Sequence, residues 1–569
     1  MNKIKYPFYA FLTLIFLLVF NAECFSQVEL VPSPDRIYHF LDRMMTNKVI
    51  ENFSSSILPL SRREIAHFLI EINEKKSKLS TSDKKILDDY LIEYEYEISG
   101  TIKNSESFFP GFKFSEIFRN KKQKYLLAKT DSNATFFWDA IGDVRYFGAN
   151  GDSLGKPHVL LGELGTRLRG TLFNAVGYYL RISNGVRLGG TEEDALISAQ
   201  FDPRLASTRK YISEGSKTFD SYEGYLRYAP EKDWLGLTVG REALKFGTGF
   251  IDQLILSDNN SSPFDFLKLD LKYKKLRYSF FHASIVGADS AGNQLNPKYL
   301  VFHRLEFGPI FNNVVKFGFS EMLIYSNQSI NFAFLNPISF ITSADLNTEL
   351  PNKNANNTLL GIDAQLYPLK KLTLQGTFLI DDIDFKTLFK NDITSDDNKF
   401  GYQAGLNWQD AFGLRNLSFT YEFTKIDPFV YSHRTISDSY TNWNLPLGHS
   451  LPPNSDEHAV KLSYDMGSRF NIAVTFQHQR SGENITDSLG NIILNVGSNI
   501  LRGDSDYVRV NGFLDGLRVN RNIITVELTW QPIWQYFFSI KYENRTFDYI
   551  DQGRKLTDNT FWGIFRIDY

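Results

Sequence analysis

The sequence predicts an all-β transmembrane barrel of about eighteen antiparallel strands, preceded by a small helical segment. Three features predict it: a short apolar run at the start of the chain, alternation of apolar and polar residues over most of the remainder, and connections that alternate between short and long. Aromatic residues make up 15% of the 569 residues, which suits the two aromatic girdles of such a barrel. No apolar run reaches the length of about 18 residues that a membrane-spanning helix requires.

The first 26 residues have the pattern of a secretory signal peptide. Two lysines form a basic start, and the apolar run Phe8–Phe20 is too short to span a bilayer. Small residues near the end of this segment predict cleavage after Ser26. A lipid anchor on Cys24 is the alternative, but residues 21–23 lack the flanking pattern of a lipidated cysteine. Cleavage after Ser26 leaves a mature chain without cysteine, and therefore without disulfides or thiolate metal ligands.

Residues 27–131 are expected to form a helical periplasmic segment and its connection to the barrel. Apolar residues recur there at helical spacing, which predicts a small bundle or a plug. The expected start signals of three helices are Ser33 with Pro34, Ser61 with Glu64 as a capping box, and Ser80.

From residue 132 to residue 569 the apolar period is two, which predicts strands with lipid on one side and water on the other. We expect Leu528 and Phe538 to face lipid, and Thr529 and Ser539 to face the lumen. The last segment, Phe561–Tyr569, alternates in the same way and ends on an aromatic residue. Such an ending resembles the closing strand of bacterial outer-membrane barrels.

Eighteen segments of this kind can be counted, although sixteen or twenty would also fit the pattern. The long connections are expected at residues 187–217, 244–264, 321–357, 424–457 and 481–520, and short connections separate the other strands. With an even count and both barrel ends in the periplasm, every long loop lies outside the cell. The sequence therefore predicts the outer membrane of a Gram-negative bacterium as the location.

Many charged residues occupy the inward positions of the predicted strands. A network in which they neutralise each other is the simpler interpretation, and a passage or site for a polar, acidic polymer is the alternative. The formal net charge of −3 gives no indication of a nucleic-acid partner. The inward charges are Asp139, Asp143, Arg145, Glu163, Arg167, Arg169, Arg181, Arg227, Arg304, Glu306 and Lys316.

Patterns for catalysis and for cofactor binding are absent from the sequence, so we expect a protein that is not an enzyme and needs no cofactor or metal. The acidic run at residues 381–384 ends a predicted strand, and a solvated end or lumen contact is favoured over a calcium site. Gly247 and Gly249 lie in a segment that is expected to fold into the lumen or over it. A packing turn is favoured there over a phosphate cradle.

Four groups of motifs, in this order and spacing, resemble the capsule assembly Wzi family. The groups are Gly240-Arg241 through Phe246–Gly249 and Leu256-Ser257 to Pro263-Phe264; Asn336-Pro337 with Asn357, Gly361 and Asp363; Asp381-Asp382; and Leu447–His449 through Asn454–Glu457. The resemblance covers nearly all of the mature chain. It implies an eighteen-stranded outer-membrane barrel that acts as a lectin and holds capsular polysaccharide at the cell surface.

The chain also resembles RemB-type outer-membrane proteins of gliding bacteria, which implies a part in surface motility or adhesion. A diffusion channel is a third interpretation. Besides an extracellular polysaccharide, the expected partners are outer-membrane lipid, lipopolysaccharide and, under the motility interpretation, other surface proteins.

The outer loops 244–264 and 424–457 are expected to bind the polysaccharide without turnover. Arginine and lysine suit the uronate or phosphate groups of an acidic glycan, and a tryptophan ring can stack on a sugar face. Packing of the aromatic residues over the barrel mouth is an equally good interpretation of the second loop. The candidate binding residues are Arg241, Lys245, Asp258, His433, Arg434, Trp443 and His449.

Overall fold

The computed structural model describes residues 27–109, 111, 122–202, 205, 217–260, 262–287, 297–348, 356–382, 398–467, 469–503, 512–533 and 535–569. The predicted signal peptide lies outside the described residues. Eighteen antiparallel strands form one closed sheet, which confirms the predicted barrel. Numbered β1 to β18 in chain order, the strands are Thr135–Gly151, His158–Leu172, Val176–Gly189, Thr218–Tyr228, Leu235–Glu242, Phe264–Tyr273, Leu276–Ile285, Lys298–Ile310, Val315–Ser326, Asn357–Leu369, Leu372–Asp382, Lys399–Gln409, Leu417–Ile426, Ser455–Asp465, Phe470–Glu483, Leu517–Trp530, Tyr536–Tyr549 and Arg554–Asp568.

The two faces of the strands differ as the alternation predicts. Leu164 points outward and is 76% exposed, whereas its neighbour Glu163 points into the barrel and is 6% exposed. On the last strands, Phe538 stacks on Phe565 on the outer face, with ring centroids 4.8 Å apart, while Ser539 lines the interior. A pattern of period two is enough to fix these directions, because successive side chains of a strand point to opposite faces.

The barrel closes where β18 pairs with β1, from Asp558 against Gly151 to Asp568 against Ile141. A short strand, Leu127–Thr130, pairs with the first residues of β1. The alternation of β18 predicts that the terminal Tyr569 faces lipid, but its side chain is buried. Its ring packs against Phe108 at a centroid distance of 5.5 Å, because the segment before the barrel covers this edge.

Four α-helices precede the barrel within residues 27–109. Numbered α1 to α4, they are Arg36–Thr46, Arg62–Glu74, Thr81–Glu93 and Glu95–Ser99. Their apolar faces form one core with the extended segments between them. Residues 27–99 are called the plug below, because they sit inside and beneath the strands. None of the helices in the described part of the chain combines the length and apolar character needed to cross a bilayer.

The observed cap residues agree in part with those predicted from the sequence. The cap of α1 is Asp35 rather than Ser33, because the Asp35 carboxylate accepts from the backbone N–H of Ile37 at 2.9 Å. Ser80 caps α3 as predicted.

For α2, the Ser61 hydroxyl caps the first turn by accepting from the Glu64 N–H at 3.2 Å. The predicted capping box is nevertheless incomplete. The Glu64 carboxylate pairs with Lys272 and Arg277 of the barrel instead of returning to the backbone of Ser61.

The plug contacts the short turns at one end of the barrel. Arg63 Nε donates to Asp233 Oδ2 at 2.8 Å in the turn between β4 and β5, and the Lys371 N–H donates to the Thr46 carbonyl at 3.0 Å in the turn between β10 and β11. In bacterial barrels the short turns are periplasmic and the long loops are extracellular. The plug therefore occupies the periplasmic end.

Among the described residues of the long connections are two further α-helices. They are numbered α5, Glu192–Ala199, and α6, Ile341–Thr348. The long loops all leave the barrel at the extracellular end, but not all of them project outward. The loop after β5 folds into the lumen, and the loop after β9 lies on the outer wall of the barrel.

Candidate functional site

The connection between β5 and β6, residues 243–263, enters the barrel and is called the inward loop. Its strand Lys245–Phe246 pairs with Ile57–Leu58 of the plug, and the Gly247 N–H donates to the Ser56 carbonyl at 3.0 Å. The two segments approach from opposite ends, so this two-stranded sheet joins them within the lumen.

The inward loop completes a hydrophobic core inside the barrel mouth. Leu254, Ile255 and Leu256 are fully buried. They pack between inward side chains of the strands and the connection between β13 and β14, residues 427–454, which is called the outer cap. The wall contributes Phe281, Leu300, Phe302, Met322, Ile324, Leu359, Leu379 and Ile426, and the outer cap contributes Val430, Tyr431, Tyr440, Leu447 and Leu451. Burial of this apolar area favours a closed mouth.

A carboxylate anchors the glycine turn of the inward loop. Glu422 of β13 points inward and accepts from the backbone N–H groups of Phe250 at 2.7 Å and Ile251 at 3.2 Å. Gln375 also donates to Glu422, at 2.8 Å. The turn at Gly249 therefore packs around a side chain of the protein, in agreement with the packing interpretation of the glycine pair.

The outer cap is fixed to the inward loop and to the wall by buried polar groups. The Tyr431 hydroxyl donates to the Leu254 carbonyl at 2.6 Å, and the Tyr440 hydroxyl donates to the Ile255 carbonyl at 2.8 Å. Lys298 at the outer end of β8 donates to two carbonyls of the cap, at 2.7 and 2.8 Å. These bonds satisfy polar groups that the closed mouth removes from water.

A second carboxylate, Asp252, joins the inward loop to the outer cap. It accepts from the Ser257 hydroxyl at 2.6 Å, from the Asn260 amide at 2.8 Å and from the Ser450 N–H at 2.9 Å. His449 Nδ1 lies 3.8 Å from the same carboxylate and accepts from the backbone of the cap. The imidazole of His449 is therefore packed in the contact between the inward loop and the outer cap.

Between the plug and the inward loop the lumen retains a cavity of about 1020 Å³. Strands β1 to β5 and β18 line one part of the cavity with charged side chains, and strands β10 to β13 line another part with neutral polar ones. The charged group is Arg145, Arg167, Arg181, Glu223, Glu242, Arg566 and Asp568, and the neutral group is Gln365, Gln375, Asn407, Gln409 and Thr420. Lys461 and Asp465 of β14 add further charges.

The inward charges are largely paired with each other, which favours the neutralising interpretation over a passage for an acidic polymer. The pairs are Arg145 with Asp143 and Asp202, both at 2.6 Å, Arg167 with Asp139 at 2.8 Å and Asp568 at 2.9 Å, Arg169 with Glu29 at 3.0 Å, Arg181 with Glu223 at 3.7 Å, Arg227 with Asp270 at 3.2 Å, and Arg304 with Asp363 at 2.6 Å. Burial raises the pKa of Glu29 in the plug, and Arg169 opposes that shift. Lys316 donates to the carbonyl of Phe53 in the plug.

The structure distributes the seven predicted binding residues over four places. Arg241 lies on the outer wall, where it pairs with Asp265 at 2.9 Å and covers the Tyr222 ring at 4.9 Å. Its alternation with the outward residues Leu237 and Val239 is the sequence signal that would have placed it there.

The other six predicted residues lie within the inward loop and the outer cap. Lys245 and Asp258 line the central cavity. His433 and Trp443 are half-buried on the outer cap, and Arg434 is exposed there. His449 is 1% exposed, because it packs beneath the cap. Binding by these residues remains a prediction.

Sequence reasoning did not identify Asp252, Glu422 or Lys298, which hold the mouth closed. Glu422 and Lys298 bond mainly to backbone groups of other segments, and Asp252 accepts from the Ser450 N–H of the outer cap. A sequence contains no signal for such contacts. The acidic run at residues 381–384 falls partly outside the described residues. Asp381 itself accepts from the Tyr431 N–H, which is a lumen contact. Within the described ranges, no three His, Cys, Asp or Glu side chains converge as a metal site would require.

A closed barrel with an apolar outer face, short turns at one end and its own plug and inward loop inside defines an occluded outer-membrane β-barrel. Residues 176–558 match the family model for the capsule assembly protein Wzi. This match spans more than half of the chain, and the chain belongs to that family.

Two solved structures are similar to the chain, and the first of them has the same fold. Wzi of Escherichia coli, described as a carbohydrate-binding β-barrel involved in group 1 capsule assembly, aligns with a TM-score of 0.57 and 12% identity over 95% of this chain and 99% of that one. OprD of Pseudomonas aeruginosa aligns with a TM-score of 0.44 and 13% identity over 76% of this chain and 95% of that one. No curated protein matches the chain in sequence.

We expect the purified protein to carry no steady ion current in planar lipid bilayers. The plug and the inward loop meet inside the lumen, and buried contacts hold both in place. The matched comparison is an Asp252→Ala, Glu422→Ala double variant, which loosens the inward loop and should add transient openings. A steady current from the unmodified protein would contradict the occluded lumen and restore the diffusion-channel interpretation.

Proposed function

We propose that the protein binds an extracellular polysaccharide at its outer cap and organises capsule at the cell surface, without cleaving the polymer. The observation that carries the proposal is the closed mouth in a member of the Wzi family. A polymer outside the cell meets the surface of the cap rather than an open lumen. The E. coli relative, described as a carbohydrate-binding β-barrel, supports the same role.

The structure divides the aromatic and polar residues of the outer cap into two groups, which supports both interpretations of the loop. Tyr431 and Tyr440 are fully buried and pack the cap over the mouth. Trp443 and Arg434 retain surface. An exposed guanidinium suits the carboxylate or phosphate of an acidic glycan, and the indole of Trp443 provides a face for a sugar ring.

A variant with Trp443→Ala and Arg434→Ala is expected to bind the capsular polysaccharide of its own cells at least about tenfold more weakly, a loss of about 1.4 kcal/mol. Washed cells should then retain less capsule and shed more into the medium. Neither side chain belongs to the buried core of the mouth, so the barrel should remain inserted and resistant to heat.

The matched control is Leu489→Ala, which removes an exposed side chain from a different outer loop. This change should leave capsule retention unaltered. Unchanged retention in the double variant, at normal protein level, would contradict the proposal and favour the motility or adhesion interpretation.

A further inference from the structure

The loop after β9 lies on the outside of the barrel, and residues 327–348 are called the flap. It contains a short 3-10 helix, Phe332–Leu335, and the helix α6. Phe334 and Ile341 of the flap pack onto outward side chains of β7, β8 and β9. Those covered residues are Phe280, Val301, Leu323 and Tyr325. Strand alternation places these four side chains on the lipid-facing side of the barrel, yet all four are buried.

The flap extends far down the wall. The Tyr278 hydroxyl donates to the carbonyl of Pro337, and Tyr278 is in register with Leu305, seven residues along β8 from its outer end at Lys298. At about 3.3 Å per residue this distance is roughly 23 Å along the strand. Strands of such barrels tilt by about 40°, so this length corresponds to roughly 18 Å along the membrane normal. The apolar band is about 25 Å tall, and the tip of the flap therefore lies at membrane depth.

Beneath the flap lies a polar patch that lipid would not accept. Glu321 points outward and accepts from the N–H groups of Ile341 at 2.9 Å and Thr342 at 2.7 Å. His282 bonds to the Tyr325 hydroxyl at 2.8 Å on the same face. A charged side chain exposed to the hydrocarbon is strongly unfavourable, and the flap removes this patch from it.

The exposed side chains of the flap are uncharged, and large apolar ones stand beside the polar Asn327, Ser329, Asn336 and Ser343. Phe332 is 84% exposed and Ile338 is 91% exposed, and Phe340 also retains surface. Within residues 327–348 the only ionisable side chain is Asp345, which is buried. Chain-wide, 22% of residues are charged. An extracellular loop in water does not need this composition, whereas a segment in lipid does.

We propose that the flap is immersed in the hydrocarbon of the outer membrane and extends the lipid-facing surface of the barrel. Phe332, Ile338 and Phe340 contact acyl chains, as do the exposed outward residues Phe319 and Ile362, which are in register on β9 and β10. The Asn336-Pro337 motif forms the tip that enters the membrane. This inference is independent of polysaccharide binding at the outer cap.

Spin labelling of the full-length barrel in lipid vesicles tests the proposal. The single Cys24 precedes the expected cleavage site, so Ile338→Cys introduces the one thiol of the mature chain. Collisions of the label with oxygen, which partitions into lipid, are compared with collisions with a water-soluble nickel chelate. The lipid control is Ile362→Cys on β10, and the water control is Leu489→Cys, which is 85% exposed in another long loop.

The ratio of oxygen to nickel accessibility at residue 338 is expected to match that at residue 362 and to exceed that at residue 489. A ratio like that of residue 489 would place the flap in water and overturn the proposal. An immobilised label that neither reagent reaches would overturn it too, because a protein would then cover the flap. If the labelled Ile338→Cys barrel lacks heat resistance, Phe332→Cys is compared with the same two controls. The same accessibility ratios then support or overturn the proposal.

Discussion

Replacing Arg304 by methionine is expected to destabilise the barrel by about 3–5 kcal/mol, because it leaves a buried carboxylate without its cation. Arg304 of β8 is fully buried and donates to Asp363 of β10 through both terminal nitrogens, at 2.6 and 2.9 Å. It reaches across Gly318 of β9, where an added Cβ would lie too close to the guanidinium. Urea unfolding in lipid vesicles measures the loss.

The matched control is the double variant Arg304→Met, Asp363→Leu. Removal of both charges at once is expected to cost less than the single change, because replacement of a whole buried pair by apolar residues is often nearly neutral. The double-mutant cycle should therefore show favourable coupling between the two residues. Equal losses in the single and double variants would mean that Arg304 stabilises the barrel by packing and not through Asp363.

Lysine in place of Ile540 is expected to cost about 2–4 kcal/mol and to reduce assembly into the membrane. Ile540 lies on the outer face near the middle of β17 and is paired with Leu528 of β16. Phe538 is nearer the periplasmic turn and stacks on Trp530 at a centroid distance of 5.4 Å. Phe538→Lys should therefore cost less than Ile540→Lys, since the penalty falls towards the interface.

Ser539→Lys and Thr529→Lys are the matched controls, because both residues line the central cavity. Lysine at either position is expected to leave assembly and unfolding nearly unchanged. Heat resistance on gels and urea unfolding in vesicles are measured for the outward and the inward lysine variants. If inward and outward lysines cost the same, the assignment of faces on β16 and β17 is wrong.

The facing of these strands was predictable because it follows from a local pattern. The alternation around Leu528 and Thr529 contains the direction of each side chain, and the repetition of such segments gives the strand count to within about two. The glycines at 247 and 249 and the apolar stretch that follows them also predicted that the loop after β5 folds into the lumen or over it, and the structure shows the first. Each of these signals lies within a few residues of the element that it describes.

The candidate site was predictable only in outline. Both loops that form the mouth were identified, but the sequence did not distinguish the buried His449 from the exposed Arg434 of the same loop. Burial within a loop depends on which other segment covers it, and that segment, the inward loop, lies about 200 residues earlier in the chain.

By itself the sequence determined an outer-membrane barrel of about eighteen strands behind a helical segment, and it showed a resemblance to a capsule assembly family. Only the tertiary structure decided that Arg304 pairs with Asp363, that Ile57–Leu58 joins Lys245–Phe246 inside the lumen, and that the loop after β9 covers the outer wall. The physical reason is the separation in sequence of the residues that interact. A repeating pattern fixes the face of a strand locally, whereas these contacts depend on strand register and chain closure, which bring distant residues together.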